Sequence, residues 1–337
     1  MMQEEGAVQD FRHKNVILIV GAGMAGVAAA RELQQAGHNV LVIDKGRGAG
    51  GRLASRRIGR ATFDHGAQFM IARDPRFAAA MDRWRESGVV EEWYRSSDER
   101  PESHLRWRGK PTMTAVARHL SRDVDVLLEK RILSLRRDRA GWVAQLESGE
   151  TFGASAALLT PPVPQSLAIL EAGGSTLPTE KKARLDTVEY ERCVAVMAVL
   201  DGPSRIPPPG GLKPTGGPIA WIADNQRKGV SATPAVTIHA TAAFSLEHWD
   251  RDRKDCGQEL LQAAKGWLGS AVTEFQVHGW RYSKPVRVEE SPCLILSQSP
   301  PLVLAGDAFA GPRVEGAALS GWAAADALKQ MNLDAAG

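Results

Sequence analysis

Two apolar runs separated by a glycine-rich turn constrain this chain more than any other feature. Val16-Ile17-Leu18-Ile19-Val20 is a continuous stretch of strand formers, and Asn39-Val40-Leu41-Val42-Ile43 is a second. Runs without polar alternation predict strands covered on both faces, as in a parallel sheet. Between them lie Gly21-Ala22-Gly23-Met24-Ala25-Gly26 and a small-residue segment that stops at Gly37, which predicts a helix over 22–37. The three glycines serve different ends. Gly21 permits the tight turn, Gly23 lets backbone approach a pyrophosphate, and Gly26 lets the helix pack close to the strand. The helix start at Met24 and Ala25 offers unpaired N–H groups and a positive dipole end to phosphate oxygens. Asp44 closes the second strand 18 positions after Gly26, where an acid accepts hydrogen bonds from ribose hydroxyls. Lys45 follows it and is counted with this site. A lone G-x-G-x-x-G is weak evidence; strand, helix and acid in this order make it a dinucleotide turn.

Two further segments complete the pattern. Gly48-Ala49-Gly50-Gly51-Arg52 follows Asp44 within eight residues. Gly51 and its neighbours bring backbone N–H groups to the same pyrophosphate, and Arg52 is expected to form a two-pronged pair with it. Near the chain end, Leu302-Val303-Leu304-Ala305-Gly306-Asp307 reads as a buried strand closing in Gly306-Asp307, an aspartate suited to ribityl hydroxyls. Val314-Glu315-Gly316-Ala317 then opens a helix whose positive end suits the electron-rich edge of an isoalloxazine. The stretch from Lys45 to Arg60 holds six basic residues and no acid. Arg47, Arg56, Arg57 and Arg60 in it read as a solvated surface.

The 337 residues suit two domains. Helices are expected around Phe77, Met81 and Trp84 within 73–100, over 112–120, over 258–268 and over 316–331. Strands are expected at 131–137, 142–146, 151–159, 194–200, 221–223, 235–241 and 301–305. The Pro- and Gly-dense stretch 201–221 reads as a long loop. Net charge is +3, from 42 basic and 39 acidic side chains, too slight to imply nucleic-acid binding. Residues 1–15 show no apolar signal region, and the longest apolar run, Val16 to Ala30, is too short to span a bilayer. No membrane partner is expected, and Cys193, Cys256 and Cys293, odd in number and far apart, fit a reducing cytoplasm. The eight histidines lack metal-ligand spacing, so no metal is expected.

The three nucleotide motifs in this order resemble the flavin-containing amine oxidase superfamily. The match sharpens along the chain toward the bacterial renalases. Asp64-His65-Gly66-Ala67-Gln68-Phe69 is similar to their D-x-G-A-Q-aromatic stretch, Thr160-Pro161-Pro162-Val163-Pro164 to T-x-P-V-P, and Asp224-Asn225-Gln226-Arg227-Lys228 to D-N-x-(K/R)-(K/R). Ile238-His239-Ala240-Thr241 resembles I-H-x-(T/S), Trp280-Arg281-Tyr282-Ser283 is close to W-R-(Y/H)-(S/A), and Arg313–Ala317 matches at the flavin edge. The resemblance implies an α/β fold: a two-domain p-hydroxybenzoate hydroxylase-type flavoprotein, with a Rossmann-like FAD domain split along the chain (14–72, 105–165, 296–333) and an inserted mixed-sheet substrate domain (73–104, 166–295). It implies non-covalent FAD, with Gly66, Ala67 and Gln68 beside it. It implies oxidation of the 2- and 6-dihydro isomers of NAD(P), with O2 reduced to hydrogen peroxide. His239 and Asn225 carry over as groups near the flavin and the nicotinamide carboxamide, Phe69 and Trp280 as walls, and Arg227 as a phosphate partner. His65 replaces a leucine-like residue. Lys228 reads as a solvated turn residue, and Trp84, Trp93, Trp107, Trp221, Trp249, Trp267 and Trp322 as core.

Such donors are strong hydride sources and need positioning rather than a general base. An FAD amine oxidase or desaturase of another small molecule stays open, although three tyrosines (Tyr94, Tyr190, Tyr282) are few for an aromatic cage. A flavin-binding module without turnover also stays open. An NAD dehydrogenase leaves Gly306-Asp307 unexplained.

Overall fold

The computed structural model describes residues 10–12, 15–95, 104–139 and 141–331. The two apolar runs are strands Val16–Val20 and Asn39–Ile43, paired in parallel with Ile17 opposite Val40. They sit in a six-stranded sheet in the order 294–298, 301–304, 156–159, 16–20, 39–43, 125–127. Start, middle and end of the chain therefore meet in one sheet. All its pairings are parallel except Leu294–Gln298 against Pro301–Leu304. Ile17, Leu18, Ile19, Leu158 and Val303 are at most 1% exposed, as the unbroken apolar pattern requires.

The helix after the turn, Met24–Gln35, buries Val27, Ala28, Ala29, Ala30 and Leu33. It lies against the last helix, Val314–Gln330. A Cβ on Gly321 would stand 2.2 Å from the Ala25 carbonyl oxygen, so only glycine permits this crossing.

A second, five-stranded antiparallel sheet runs in the order 211–212, 219–224, 235–240, 190–200, 272–285. A four-stranded sheet (10–12, 151–154, 141–146, 132–138) and two hairpins, 55–58 with 61–64 and 90–95 with 105–109, complete the strands described. Lys14 and residues 332–333, expected in the nucleotide domain, lie outside the described residues.

Several expected elements differ in detail. The single strand expected over 151–159 is two strands, Thr151–Ala154 and Ala156–Leu159, in different sheets. The chain changes sheet at Ser155, whose backbone N–H (2.9 Å) and hydroxyl (3.0 Å) both donate to the Val16 carbonyl. The Pro/Gly stretch is not wholly loop, because Gly211–Leu212 pairs with Ile222–Ala223. Val272–Pro285, a strand of 14 residues, was not anticipated, nor were the helices Val163–Ala172, Thr179–Asp186 and Ala242–Glu247. Among the described residues no helix is long and apolar enough to cross a membrane.

Candidate active site

The phosphate turn is built as its glycines dictate. Gly21 has φ +98°, and Gly26 lies so near it that a Cβ there would stand 1.9 Å from the Gly21 carbonyl oxygen. Gly23 is extended, at φ −73°, and a Cβ on it would meet no atom within 4 Å. Met24 and Ala25 begin the helix, and no side chain caps its N-terminus. The second glycine loop is fastened to the first. Gly50 donates its N–H to the Ala22 carbonyl (2.8 Å), and Gly51, at φ +52°, would bring a Cβ within 3.3 Å of the Gly23 Cα. Asp44 ties both loops: one carboxylate oxygen accepts from the Ala22 N–H and the other from the Gly46 N–H, each at 2.6 Å. Lys45 is exposed, with its ammonium 3.4 Å from Gln165 Oε1. Uncapped N–H groups facing open space over a side-chain-free residue fit a dinucleotide pyrophosphate.

Arg52 departs from expectation. Its guanidinium forks onto the carboxylate of Asp307, at 2.6 and 2.7 Å, rather than standing free for phosphate. It also donates to the carbonyls of Tyr282 and Ser283, each at 3.2 Å. Burial opposes the charge of Arg52, but the Asp307 pair outweighs it and holds the guanidinium above its ordinary pKa. Arg52 thereby joins the end of the six-stranded sheet to the long strand of the five-stranded one. Gly306 has φ +146°, and its N–H donates to Ser320 Oγ at 2.8 Å. Val314, Gly316 and Ala317 stand at the start of the last helix as expected. Glu315 points elsewhere: its carboxylate accepts from the Arg73 N–H (2.6 Å) and the Asp74 N–H (2.9 Å), at the start of helix Pro75–Glu86.

The segment 64–69 is held from below by a buried ion pair. Asp64 and Lys228 have wholly buried side chains and meet at 2.8 Å. Lys228 is thus not a solvated turn residue. Burial draws its pKa down, and the charge and hydrogen bond of Asp64 oppose that fall. Asp64 also accepts from Ser55 Oγ (2.7 Å) and the Met113 N–H (3.0 Å). Asn225 is committed to the same network. Its Oδ1 accepts from the Asp64 N–H (3.2 Å) and its Nδ2 donates to Thr237 Oγ1 (2.9 Å), at 0% exposure. It supports the segment and has no amide face left for a substrate carboxamide. Arg227 lies 3.5 Å from the Asp224 carboxylate.

Above this support, Gly66 presses on Arg52: a Cβ would stand 2.0 Å from the Arg52 carbonyl oxygen, and the Ala67 N–H donates to that oxygen at 2.8 Å. Gln68 donates from Nε2 to the Asp64 carbonyl (2.7 Å), while its buried Oε1 has no partner. The His65 carbonyl is the meeting point of two expected site residues: His239 Nε2 and Trp280 Nε1 each lie 3.0 Å from it. A carbonyl only accepts, so the His239 proton sits on Nε2. The His65 ring stacks on Trp280 (centroids 5.3 Å apart, 27° between planes) and meets the edge of His278 at 5.2 Å, with a buried, unpartnered Nδ1. His65, which sequence left without a role, is the centre of the cluster. Sequence missed His278, whose only signal is its place two residues before Trp280.

All three imidazoles are held neutral. Burial first, then the charges of His278 and Arg56, push His65 down to about 3. Burial puts His239 at about 4, against the opposing bond to the His65 carbonyl. Burial, then Arg56 and Arg253, puts His278 at about 4. Between these values and 6.5 the unfolded chain binds more protons, so this stability is complete above pH ~6.5 and is lost as pH falls toward ~4. His65→Phe is expected to flatten the decline of unfolding free energy between pH 6 and pH 4.5, by up to ~1.4 kcal/mol per pH unit. Urea titrations across that range check it; equal slopes in the two proteins would refute the neutral His65.

Phe69 opens a second cluster. It lies 5.5 Å from Trp221 and 6.3 Å from Trp93, and both tryptophans are half-buried rather than part of the core. The Arg106 guanidinium lies 4.5 Å over Phe69, 4.9 Å over Tyr94 and 5.6 Å over Trp221. Arg106 Nε and Trp221 Nε1 are both buried without a partner. Trp221 pairs with His239 in the sheet, which sets the two clusters side by side.

Comparison with known proteins agrees with this geometry. The pattern described as NAD(P)-binding Rossmann-like domain matches residues 19–84, and the pattern described as flavin containing amine oxidoreductase matches residues 84–329. The chain belongs to the flavin-containing amine oxidoreductase family. Its dinucleotide turn suits the flavin cofactor that the family's description names. Over 54 residues it is 44% identical to AofH of Mycobacterium tuberculosis (strain CDC 1551 / Oshkosh), a candidate flavin-containing monoamine oxidase; the match covers 16% of this chain and 12% of that protein. The chain thus spans about an eighth of the curated relative it matches. Among solved structures, a double mutant of putrescine oxidase superposes with TM-score 0.71 at 15% identity, covering 93% of this chain and 99% of that one. A CLA-producing fatty acid isomerase from P. acnes gives TM-score 0.63 at 12% identity, covering 93% and 98%. At such identities the likeness speaks for the fold alone.

Proposed function

We propose that this family member is of renalase type, oxidising the 2- and 6-dihydro isomers of NAD(P) to NAD(P)+ while O2 becomes hydrogen peroxide. Bound FAD, non-covalent in this reading, supplies the hydride acceptor at its ring N5 and returns the electrons to O2. The nucleotide domain would hold it through Gly21–Gly26, Asp44, Gly51, Gly66–Gln68, Gly306, Val314, Gly316 and Ala317. The remaining segments, 73–104 and 166–295, would form the substrate side.

The observation that carries this reading is the charge inside the aromatic walls. Arg106 puts a guanidinium among Phe69, Tyr94, Trp93 and Trp221. That cation repels a protonated amine, whereas a neutral dihydronicotinamide ring suits the flat walls, and its carboxamide oxygen suits the N–H groups of Arg106 and Trp221. The neutral histidines fit as well. His239 spends its proton on the His65 carbonyl, which leaves it orienting the segment rather than removing protons from substrate. A donor that releases hydride readily needs no base.

Oxidation of an amine is the second reading, favoured by the family itself. Oxygen-electrode assays separate the two. The isomer mixture from borohydride-treated NAD(P)+ is expected to drive O2 uptake with one peroxide formed per donor. Ordinary 4-dihydro NAD(P)H is expected to be slower by ~100-fold, since a misplacement near 1 Å costs that much. O2 uptake with putrescine or benzylamine, and none with the isomers, would establish the second reading instead.

A further inference from the structure

Beside His278 lies a cleft of about 400 Å3 lined by Arg56, Arg253, Lys254, Phe275, Gln276 and Val277. Its walls come from three places in the chain. Arg56 belongs to the hairpin that leads into Asp64, Arg253 and Lys254 open the helix Arg253–Ala263, and 275–277 lie on the long strand that carries Trp280. The cleft thus adjoins the cluster of His65, His278 and Trp280. Arg56, expected as solvated surface, is half-buried here.

The cations in this region lack close ion-pair partners. Arg253, Arg192 and Arg281 place their guanidiniums 4.5, 5.0 and 5.8 Å from the ring of one buried tryptophan, Trp249. Three cations around one ring repel one another, and the indole face offsets only part of that. Among the described residues, none of Arg56, Arg192, Arg253, Lys254 and Arg281 has a carboxylate within 4.0 Å. Arg253 Nη1 is buried with no hydrogen-bond partner. Space for that guanidinium exists because residue 279 is glycine: a Cβ there would stand 3.3 Å from Arg253 Nη2. A buried, unpartnered N–H on a permanent cation costs stability unless an anion meets it.

We propose that this cleft receives the phosphate groups of the nucleotide donor, with Arg56 and Arg253 as forked donors and Lys254 as a point charge. The assignment rests on the dinucleotide reading above. It moves the phosphate contacts away from 224–228, where Asp224 engages Arg227 and Asp64 engages Lys228.

Titration of the FAD-replete enzyme with ADP tests the cleft without any turnover. ADP is expected to bind one-to-one, more weakly as salt rises. Arg56→Gln/Arg253→Gln is expected to weaken ADP by about 10-fold or more. In flavin reduction, the same variant is expected to raise the half-saturating concentration of the dinucleotide isomers by about 10-fold, with the rate at saturation changed by less than about 2-fold, because phosphate contacts bind ground and transition states alike. Dihydro-1-methylnicotinamide, which lacks phosphate, is expected to shift by less than about 2-fold. Lys254→Gln, at an exposed position, is expected to weaken ADP by about 3-fold and serves if the double variant does not fold. Equal ADP affinity in wild type and variants would overturn the cleft. If ADP depends on these residues but the isomers leave the flavin oxidised, the cleft stands and the donor reading falls. If the isomers reduce the flavin and ADP ignores the substitutions, the donor reading stands and the cleft falls.

Discussion

Gly23→Val is expected to fold near the melting temperature of the flavin-free wild type and to lose most of its FAD on gel filtration. The two outcomes separate because of where the missing side chain would point. Gly23 is extended, at φ −73°, which valine adopts without strain, and its Cβ would meet no protein atom within 4 Å. From there the side chain reaches into the open space at the helix start, where a ligand would approach. Overpacking against the pyrophosphate is expected to cost ~3 kcal/mol, about a hundredfold in affinity. Gly26→Val at the same turn is expected to fail differently, by preventing folding, because its Cβ would stand 1.9 Å from the Gly21 carbonyl oxygen. Flavin absorbance after gel filtration, with a thermal melt of the flavin-free proteins, reads both. A Gly23→Val protein that keeps its flavin would refute the pyrophosphate assignment.

The second large effect lies in the buried pair beneath the site. Lys228→Met leaves the Asp64 carboxylate at 0% exposure with only Ser55 Oγ and the Met113 N–H to stabilise its charge. Breaking one side of such a pair costs ~3–5 kcal/mol, which for a chain of this size lowers the melting temperature by roughly 5–10 °C. Adding Asp64→Asn removes the stranded charge and keeps an oxygen for the same two donors. The double variant Asp64→Asn/Lys228→Met is therefore expected to recover at least half of the loss. Thermal melts of the single and double variants decide it; a double variant no more stable than Lys228→Met would show that the pair's charge is not what matters.

The parts of this molecule legible in the sequence are those set by local pattern. Unbroken apolar runs marked Val16–Val20, Asn39–Ile43 and Pro301–Leu304, because strands buried on both faces carry no polar alternation. The glycine spacing at 21, 23 and 26 marked the turn, because no other residue fits Gly21 or Gly26. What escaped depends on partners far along the chain. Lys228 sits in a polar run, Asp224 to Lys228, that reads as a solvated turn, and its burial follows from Asp64, which is 164 positions away. Arg52 and Asp307 each suit a cofactor group when read alone, and only the fold shows that they suit each other. Glu315 was assigned by its place at a helix start, whereas its carboxylate reaches the backbone of Arg73 and Asp74. Trp93 and Trp221 read as core on hydrophobicity, a property that does not separate a fully buried ring from a half-buried one. The long strand Val272–Pro285 escaped because much of it is half-exposed, so no clean alternation marks it.

The central claim is that the aromatic walls and the Arg106 cation select a neutral dihydronicotinamide and reject an amine. Anaerobic rapid mixing of the FAD-replete enzyme with the 2- and 6-dihydro isomers of NAD(P) tests it directly, before O2 or product release can set the rate. The visible flavin band is expected to bleach with one equivalent of isomer and to release one equivalent of NAD(P)+, while putrescine and benzylamine leave it oxidised. A flavin that either amine bleaches within the same time, and that the isomers leave yellow, would contradict it.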